Sequence, residues 1–291
     1  DAPFTSDYNK KLYATGGLPT LVYSFDEDSK TKTKLYEVKP ANDKSEGDDF
    51  GRSLTMMDEL LIISAPYDGG GANNNFTGSI YGFEEQEQGY EEVWEFNIKH
   101  NMSPDISDIG LDFMTNLDSY IKFHERVDFA MYLGEYICSD GRYLAAIGSG
   151  RLYLYEILKG QQPRKIKQIV YATLQPGIHD VLNTGQAPLM NIPGSFSIKD
   201  QLLVVGYWRA YSQNTPGAGE VVFFDLSSGI PVQSQVLTFP GSVEEEDNFG
   251  GNVLIRGNIL RVTSSGVDRF NSSRAESFYR LGSEIDDTQN T

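Results

Sequence analysis

Histidine and cysteine, two side chains that often carry enzymatic chemistry, are few and scattered in this sequence. Its three histidines are His100, His124 and His179, and none of them forms a zinc-binding His-x-x-x-His motif. The single cysteine, Cys138, excludes an internal disulfide and any Cys-x-x-Cys motif. No Gly-x-x-x-x-Gly-Lys-Ser/Thr segment is present to bind a phosphate chain. We therefore predict a chain without enzymatic activity, metal or cofactor.

Acidic residues are numerous, and two groups of them stand out. One group consists of Asp105, Asp108 and Asp112, and the other is the run 244–247. Neither has the spacing of a known calcium loop, so we expect both to be solvated loops. A Ser-His-Asp triad, or a carboxylate pair for sugar hydrolysis, has no fixed spacing in sequence. Both kinds of enzyme therefore remain open as alternatives.

The overall charge narrows the choice of partners. The 291 residues include 41 acidic and 24 basic side chains, for a net charge of −17. Such a surface repels phosphate backbones, which argues against nucleic acid and anionic membranes and favours basic protein surfaces. A merely well-solvated surface would look the same.

No apolar run approaches the ~20 residues of a membrane helix, and the first residues lack a signal-peptide pattern, although one could have been removed.

Two short apolar runs recur together every ~60–70 residues, which is typical of a repeat architecture. The first run occupies 12–16, 60–64, 143–148, 202–206 and 259–264, and the second occupies 22–26, 80–84, 152–156, 221–225 and 278–282. A further run follows in most copies, at 34–39, 93–97, 165–172 and 232–239. Runs of this length between turn residues are typical of strands. With the run that precedes them, such as 50–56, they predict four antiparallel strands per copy.

Radially packed units of this kind form a β-propeller, and we predict an all-β propeller over residues 1–282. The predicted blades are 4–39, 50–97, 127–172, 194–239 and 249–282. Residues 100–126 are predicted to be a helical or mixed insert, 173–191 an irregular loop, and 283–291 a polar tail.

The second predicted blade also carries a family resemblance. Asp49-Phe50-Gly51-x-Ser53, then residues 63–67 (ISAPY), then Gly78-x-Ile80-Tyr81-x-Phe83 resemble an FG-GAP repeat, the blade of integrin α-chain propellers. Weaker copies lie at 248–251, 128–130 and 193–198. Integrin-type propellers usually have about seven blades, so the resemblance implies either a five-bladed ring or a portion of a longer protein. Such blades often carry an Asp-x-Asp-x-Asp-Gly calcium loop between their first two strands. No turn here has that sequence, so no metal site is carried over.

Loop lengths indicate where a partner binds. The predicted connections between first and second strands are short, whereas those after the second strands and between blades are often long. Long loops on a rigid fold are the usual place for binding residues. In these loops the candidates are aromatic or charged: Tyr67, Asp68, Trp208, Arg209 and Tyr211. Packing of Tyr207 and Trp208 between blades is the alternative.

These observations predict a non-enzymatic extracellular module that binds a protein or cell-surface ligand. Three Asn-x-Ser/Thr sequons, at Asn75, Asn101 and Asn271, lie in predicted loops and agree with an extracellular location. The alternatives are an accessory propeller of a larger secreted enzyme, similar to glycosylphosphatidylinositol-specific phospholipase D, and a propeller that binds or cleaves carbohydrate.

Overall fold

The computed structural model describes thirteen stretches of the chain. They are residues 4–6, 11–15, 20–26, 31–41, 48–57, 60–69, 77–87, 89–97, 132–173, 189–212, 215–240, 247–264 and 275–281. The chain divides into two compact units, residues 1–102 with 128–166 and residues 103–127 with 167–291.

Within the described residues, the first unit contains three four-stranded sheets, and the last strand of the third continues past Ile166, where this unit ends. The first sheet consists of β1 (Phe4–Ser6), β2 (Lys11–Thr15), β3 (Thr20–Asp26) and β4 (Thr31–Val38). The second consists of β5 (Leu54–Met57), β6 (Leu60–Ala65), β7 (Ser79–Gln86) and β8 (Gly89–Asn97). The third consists of β9 (Tyr136–Ser139), β10 (Tyr143–Gly148), β11 (Arg151–Glu156) and β12 (Arg164–Ile169).

The second unit contains a short hairpin and two larger sheets. The hairpin pairs β13 (Tyr171–Thr173) with β14 (Leu189–Asn191). The fourth sheet consists of β15 (Ser195–Lys199), β16 (Leu202–Tyr207), β17 (Glu220–Asp225) and β18 (Val232–Leu237). The fifth consists, within the described residues, of β19 (Asn252–Arg256), β20 (Ile259–Ser264) and β21 (Ala275–Arg280).

Strands that follow one another in the chain are neighbours in every sheet, and the pairs in which the register is defined are antiparallel. The prediction of an all-β fold built from four-stranded antiparallel sheets is therefore confirmed. This order is that of propeller blades. It also places the short connections between first and second strands at one end of each sheet, and the connections after the second strands at the other end.

Three of the recurring apolar runs, strands β6, β10 and β16, are buried on both faces. In β6, Leu61 and Ile63 contact a cluster that includes Phe50 and Tyr81, whereas Ile62 contacts another that includes Leu144 and Tyr153. Alternate side chains of a strand point to opposite faces, so a strand covered on both sides needs apolar residues at nearly every position. This explains why the LLIIS-type runs are so regular.

Several boundaries differ from the predicted ones. Strand β5 begins at Leu54 because Phe50 belongs to a turn that precedes it. The third strand of the fifth copy is Ala275–Arg280, so the run predicted at 278–282 was placed too late. Its mixed exposure, with Phe278 55% exposed, gives no clear apolar pattern. The loop predicted at 173–191 begins and ends in the β13–β14 ladder.

Other predictions lie outside the described residues. They concern the insert 100–126, the tail 283–291, the three histidines and the sequon asparagines Asn75, Asn101 and Asn271.

Candidate functional site

Three turns with the same backbone conformation precede the first strands of the second, third and fifth sheets. They are Asp49-Phe50-Gly51, Tyr132-Leu133-Gly134 and Asn248-Phe249-Gly250. The first residue of each turn has φ of 56, 58 and 51°, and the glycine has φ of 86, 96 and 87°. Glycine tolerates this left-handed region without strain, and Asp and Asn tolerate it better than most residues.

The glycine of each turn is tied to the second strand of its own sheet. Its backbone N–H donates to the carbonyl of Ser64, Ile147 or Thr263, at 2.9, 2.8 and 3.1 Å respectively. The middle residue of each turn is buried. The structure therefore places a copy of this turn at Tyr132-Leu133-Gly134, whereas the match proposed at 128–130 lies outside the described residues. Leu133 replaces the expected Phe and Tyr132 the expected Asp or Asn, so the motif is not visible in the sequence.

Two long loops have a common backbone frame. In the β6–β7 loop (residues 66–78), Asp68 N donates to Ala65 O at 3.1 Å and Gly78 N to Asp68 O at 3.0 Å. In the β16–β17 loop (residues 208–219), Ala210 N donates to Tyr207 O at 2.9 Å and Gly219 N to Ala210 O at 3.0 Å. The two loops thus leave and re-enter their sheets in the same way, although their sequences differ.

The end of each loop is also joined to the turn of the following sheet in the same unit. Leu133 N donates to Thr77 O at 3.0 Å, and Phe249 N donates to Ala218 O at 2.9 Å. A Cβ added to Gly78 would lie 2.4 Å from Leu133 N, and one added to Gly219 would lie 2.1 Å from Phe249 O. Only glycine fits at these two close approaches.

Tyr67 lies at the surface of the β6–β7 loop. Its side chain is 42% exposed, and its ring centroid lies 5.2 Å from that of Tyr132, at an interplanar angle of 60°. Its backbone N–H donates to Asp48 O at 3.2 Å. Aromatic pairs at this distance stabilise each other, so the ring is presented from a fixed position. Tyr132 was not predicted as a site residue, and recognising the third turn motif would have been the way to find it.

Asp68 is buried, in contrast to its neighbour. Only 5% of it is exposed, and its carboxylate accepts hydrogen bonds from Gly69 N, at 2.6 Å, and from the Tyr81 hydroxyl. Burial and the adjacent Asp68 raise the pKa of Tyr81 above its ordinary value, so the phenol stays protonated as the donor. Asp68 therefore holds the loop to β7, and its carboxylate is not presented at the surface.

The β16–β17 loop presents an aromatic and a cation together. The Arg209 guanidinium lies 4.1 Å from the centroid of the Trp208 ring, within the range of a cation–π interaction. Trp208 is half-buried and Arg209 is exposed. The indole packs over Gly194, where an added Cβ would lie 2.3 Å from Trp208 Cδ1.

The two residues that flank this loop, Tyr207 and Glu220, both contact Tyr171 in β13. Tyr207 is 1% exposed, with its ring centroid 4.7 Å from that of Tyr171 in β13, so for Tyr207 the packing alternative applies. The Tyr171 hydroxyl donates to Glu220 Oε2 at 2.5 Å. Burial raises the pKa of Glu220, and the hydrogen bond from Tyr171 opposes this rise. Tyr211 is half-buried in the loop, next to the Ser212–Thr215 bridge.

The predicted site residues thus form two groups, one in each compact unit. Tyr67 and Asp68 belong to the first, and Trp208, Arg209 and Tyr211 to the second. Within the described stretches, no group of three or more His, Cys, Asp or Glu side chains is arranged to hold a metal ion. In the same stretches, no helix is both long and apolar enough to cross a membrane.

The turn at Asp49–Gly51, the strands β5 and β6 and the start of β7 coincide with a match to a family model. Residues 40–83 match the FG-GAP repeat. This segment is similar to an FG-GAP repeat. The FG-GAP repeat is in general a non-catalytic binding module, as the resemblance to integrin α-chain blades implied. The sheets on either side of it add blade-like structure that the family model does not cover.

Solved structures show only a slight likeness to the whole chain. The major allergen Mala s 1 of Malassezia sympodialis is similar at a TM-score of 0.42 and 11% identity, over 91% of this chain and 75% of that one. Sqt1 of Saccharomyces cerevisiae is similar at a TM-score of 0.42 and 12% identity, over 98% of this chain and 74% of that one. No curated protein matches the chain. Similarities of this size say nothing about what the chain binds.

Proposed function

We propose that this chain is a non-enzymatic extracellular module that binds a protein or a cell-surface ligand through its long loops. The observation that carries this proposal is the common frame of the β6–β7 and β16–β17 loops. Each is fixed by the same backbone hydrogen bonds, yet one presents Tyr67 and the other presents Trp208 with Arg209. A constant frame with different aromatic side chains is the arrangement expected of binding loops.

The contact residues in this proposal are Tyr67, Trp208, Arg209 and Tyr211. Trp, Tyr and Arg are the residues most enriched at the energetic centres of interfaces. Their side chains are exposed or half-buried, and close neighbours restrict Tyr67, Trp208 and Arg209, so little conformational entropy is lost when a partner binds. Asp68 acts indirectly by holding the first of the two loops against β7.

The extracellular part of the proposal is supported by the FG-GAP repeat and by the three sequons. The net charge of −17 suits a partner with a basic surface and argues against nucleic acid or direct insertion into an anionic membrane.

A binding screen tests the proposal. Tetramers of the labelled chain are applied to an array of purified cell-surface ectodomains and to a glycan array, and dissociation constants are measured for each hit. Double substitution Trp208→Ala/Arg209→Ala is expected to weaken binding of a true partner at least tenfold. The single substitution Arg209→Glu, at an exposed position, gives a second variant that tests the same contact without opening a gap over Gly194.

Ile230→Ala is the matched control. Ile230 is 60% exposed and lies in the β17–β18 connection, at the other end of the same sheet. Hits that respond to Ile230→Ala as much as to Arg209→Glu would contradict the proposed loop surface. A hit confined to the glycan array would replace the protein partner with a carbohydrate.

A further inference from the structure

A second surface feature lies at the opposite ends of the strands from the long loops. A pocket with a cavity volume of about 180 Å³ opens between the second and third sheets, where their short connections lie. Its apolar wall is formed by Met57, Leu60, Trp94, Ile157 and Leu158. All of these residues belong to the first compact unit.

The floor of the pocket is rigid. Trp94 is 7% exposed and packs in a buried cluster with Met57 and Ile157. Its indole lies directly over Gly82 in β7, where an added Cβ would be 2.2 Å from Trp94 Cε2. The glycine thus allows the ring to lie flat on the sheet, and one part of the indole is left to line the cavity.

The rim of the pocket is open. Gly141 and Gly160 both line it with positive φ, and a Cβ added to either would meet no atom within 4 Å. Leu158, next to Gly160 in the β11–β12 connection, is 44% exposed. A large aliphatic side chain facing solvent beside an apolar cavity is what a partner would cover.

The size of the cavity limits the occupant. An apolar cavity of roughly 150 Å³ holds a benzene molecule, whereas pockets for drug-sized ligands measure roughly 300–1,000 Å³. This cavity therefore accepts about one aromatic or aliphatic side chain. An anchor residue on a peptide fits it better than an independent small molecule does.

Charge around the pocket indicates what flanks that anchor. Glu84 and Glu85 line the cavity together with one cation, Lys159. In the sequence, Asp58 and Glu59 stand between the lining residues Met57 and Leu60, and Glu87 follows Glu85 closely. Two carboxylates thus line the cavity beside one cation, and the neighbouring sequence adds further carboxylates in a chain whose net charge is −17. Opposite charge across an interface guides association and selects partners.

We propose that this pocket binds a basic peptide segment of a partner protein, with one aromatic side chain of the peptide seated against Trp94. The pocket is separate from the long-loop surface, so this interaction does not depend on the function proposed above.

Trp94 can report on its own pocket. The chain has two tryptophans, so Trp208→Phe leaves Trp94 as the only indole. In this full-length background, the probe is the peptide Gly-Lys-Lys-Phe-Lys-Gly, whose phenylalanine does not interfere with tryptophan emission. The comparison peptides are Gly-Lys-Lys-Ala-Lys-Gly and Gly-Glu-Glu-Phe-Glu-Gly. Titration is expected to shift Trp94 emission with the Lys-flanked Phe peptide, and each comparison peptide is expected to bind at least tenfold more weakly.

Two pairs of variants test whether the peptide binds at the pocket itself. Leu158→Ser should weaken binding about fivefold or more, whereas Ile230→Ser, at a more exposed position outside the pocket, should not change it. Glu84→Gln/Glu85→Gln should weaken binding, whereas Glu87→Gln/Glu91→Gln, in the same β7–β8 hairpin but outside the lining, should have a smaller effect. Because Leu158, Glu85, Glu87 and Glu91 are exposed and Glu84 is half-exposed, these variants are expected to fold normally, which a thermal melt verifies.

The proposal is overturned if the Ala-centred peptide binds as tightly as the Phe-centred one, because the pocket would then play no part. Equal weakening by the two glutamate pairs would also overturn it, since attraction would come from the general charge alone. Failure of the Lys-flanked Phe peptide to bind at millimolar concentration would do the same. None of these results bears on the Trp208–Arg209 surface, which is already altered in the background used.

Discussion

Gly78 and Gly219 occupy equivalent places in two sheets, and at each the main chain of the next sheet comes too close for any side chain. Both also have positive φ, at 76 and 83°. Two separate physical reasons therefore require glycine here: the backbone conformation and the close approach. Gly141 has the first reason only, because its φ is 86° and the space around it is open.

Because of this difference, the energetic cost of the backbone conformation can be measured separately from that of the close approach. Gly141→Ala is expected to lower the free energy of unfolding by about 1 kcal/mol, the cost of a left-handed conformation for alanine. Gly78→Ala should cost about 3 kcal/mol or more, because the Leu133 backbone must also move. Urea denaturation of the two variants gives both values. Equal losses in the two variants would show that the close approach has no energetic weight.

Glu156 is a buried carboxylate with two arginine partners. It is 6% exposed and pairs with Arg164 through one oxygen and with Arg142, at 2.8 Å, through the other. The hydrogen bonds from Arg164 and then Arg142 hold the pKa of this carboxyl below its ordinary value of 4.5. Its contribution to stability is therefore present above pH 4.5 and is lost as pH falls through the lowered folded-state pKa.

Glu156→Gln should accordingly destabilise the chain at pH 7, by roughly 1 kcal/mol, since both arginines are largely solvent-exposed. The difference in stability between Glu156→Gln and the unsubstituted chain should disappear as the pH is lowered below about 4.5. Thermal melts from pH 3 to pH 7 measure this. Glu276→Gln, in the exposed pair with Arg261, is the control and should change stability less. A stability difference that stays constant with pH would contradict a stabilising role of the Glu156 carboxylate charge.

Serine hydroxyls in or just before first strands join the second sheet to the third and the fourth sheet to the fifth. The Ser53 hydroxyl accepts from Ile137 N at 3.1 Å, and the Ser195 hydroxyl accepts from Val253 N at 3.0 Å. Ser197 repeats the contact with Ile255 N at 3.1 Å. These amides lie at buried edges of their sheets, where a missing acceptor is costly. Small polar residues in or just before a first strand therefore supply the hydrogen bonds that hold neighbouring sheets together.

Loss of one such joint should be measurable. Ser195→Ala leaves the buried Val253 N–H without its acceptor and is expected to cost about 1–3 kcal/mol. Ser228→Ala removes an exposed hydroxyl that donates to Ile230 O and should cost less than about 0.5 kcal/mol. Chemical denaturation gives the stabilities, and hydrogen exchange at Val253 should accelerate only in Ser195→Ala. Unchanged exchange at Val253 would show that the hydroxyl is not its main protection.

The second and third strands of the second, third and fourth sheets were predictable from sequence, because both of their faces are buried and their apolar runs are nearly continuous. The less regular features were not. In the first, second and fourth sheets the register shifts between the third and fourth strands, as beside Val93, and no residue type marks the shift. At the candidate site, Tyr67 and Trp208 could be proposed from residue type and loop length. The burial of Asp68 could not, because it depends on the Tyr81 hydroxyl across the loop.

The excess of carboxylates is the dominant electrostatic property of this chain. Charged side chains are almost never fully buried, so the repulsion that follows from the net charge of −17 is concentrated on the surface. Self-repulsion of this kind opposes the compact state and weakens when salt screens it. The Debye length falls from about 30 Å at 0.01 M to about 8 Å at 0.15 M ionic strength.

Added salt should therefore stabilise the chain at neutral pH. Between 0.01 and 0.15 M sodium chloride at pH 7.5, the melting temperature is expected to rise by a few degrees, as for a gain of about 1 kcal/mol. At pH 4.5, close to the isoelectric point calculated from the sequence, the same change in salt should have little effect. Differential scanning calorimetry at both values compares the two. A fall in melting temperature with salt at pH 7.5 would mean that specific ion pairs outweigh the general repulsion.

Main-chain hydrogen bonds hold both ends of the β6–β7 loop. The frame described for this loop uses the main chain of Ala65, Asp68, Thr77 and Gly78, and these hydrogen bonds lie at the two ends of the loop. Main-chain N–H and C=O groups are present whatever side chains stand between those ends. A foreign epitope or an affinity tag grafted between Gly69 and Thr77 is therefore expected to be displayed beside Tyr67 from the same anchored ends, which would make the chain a carrier for inserted peptides.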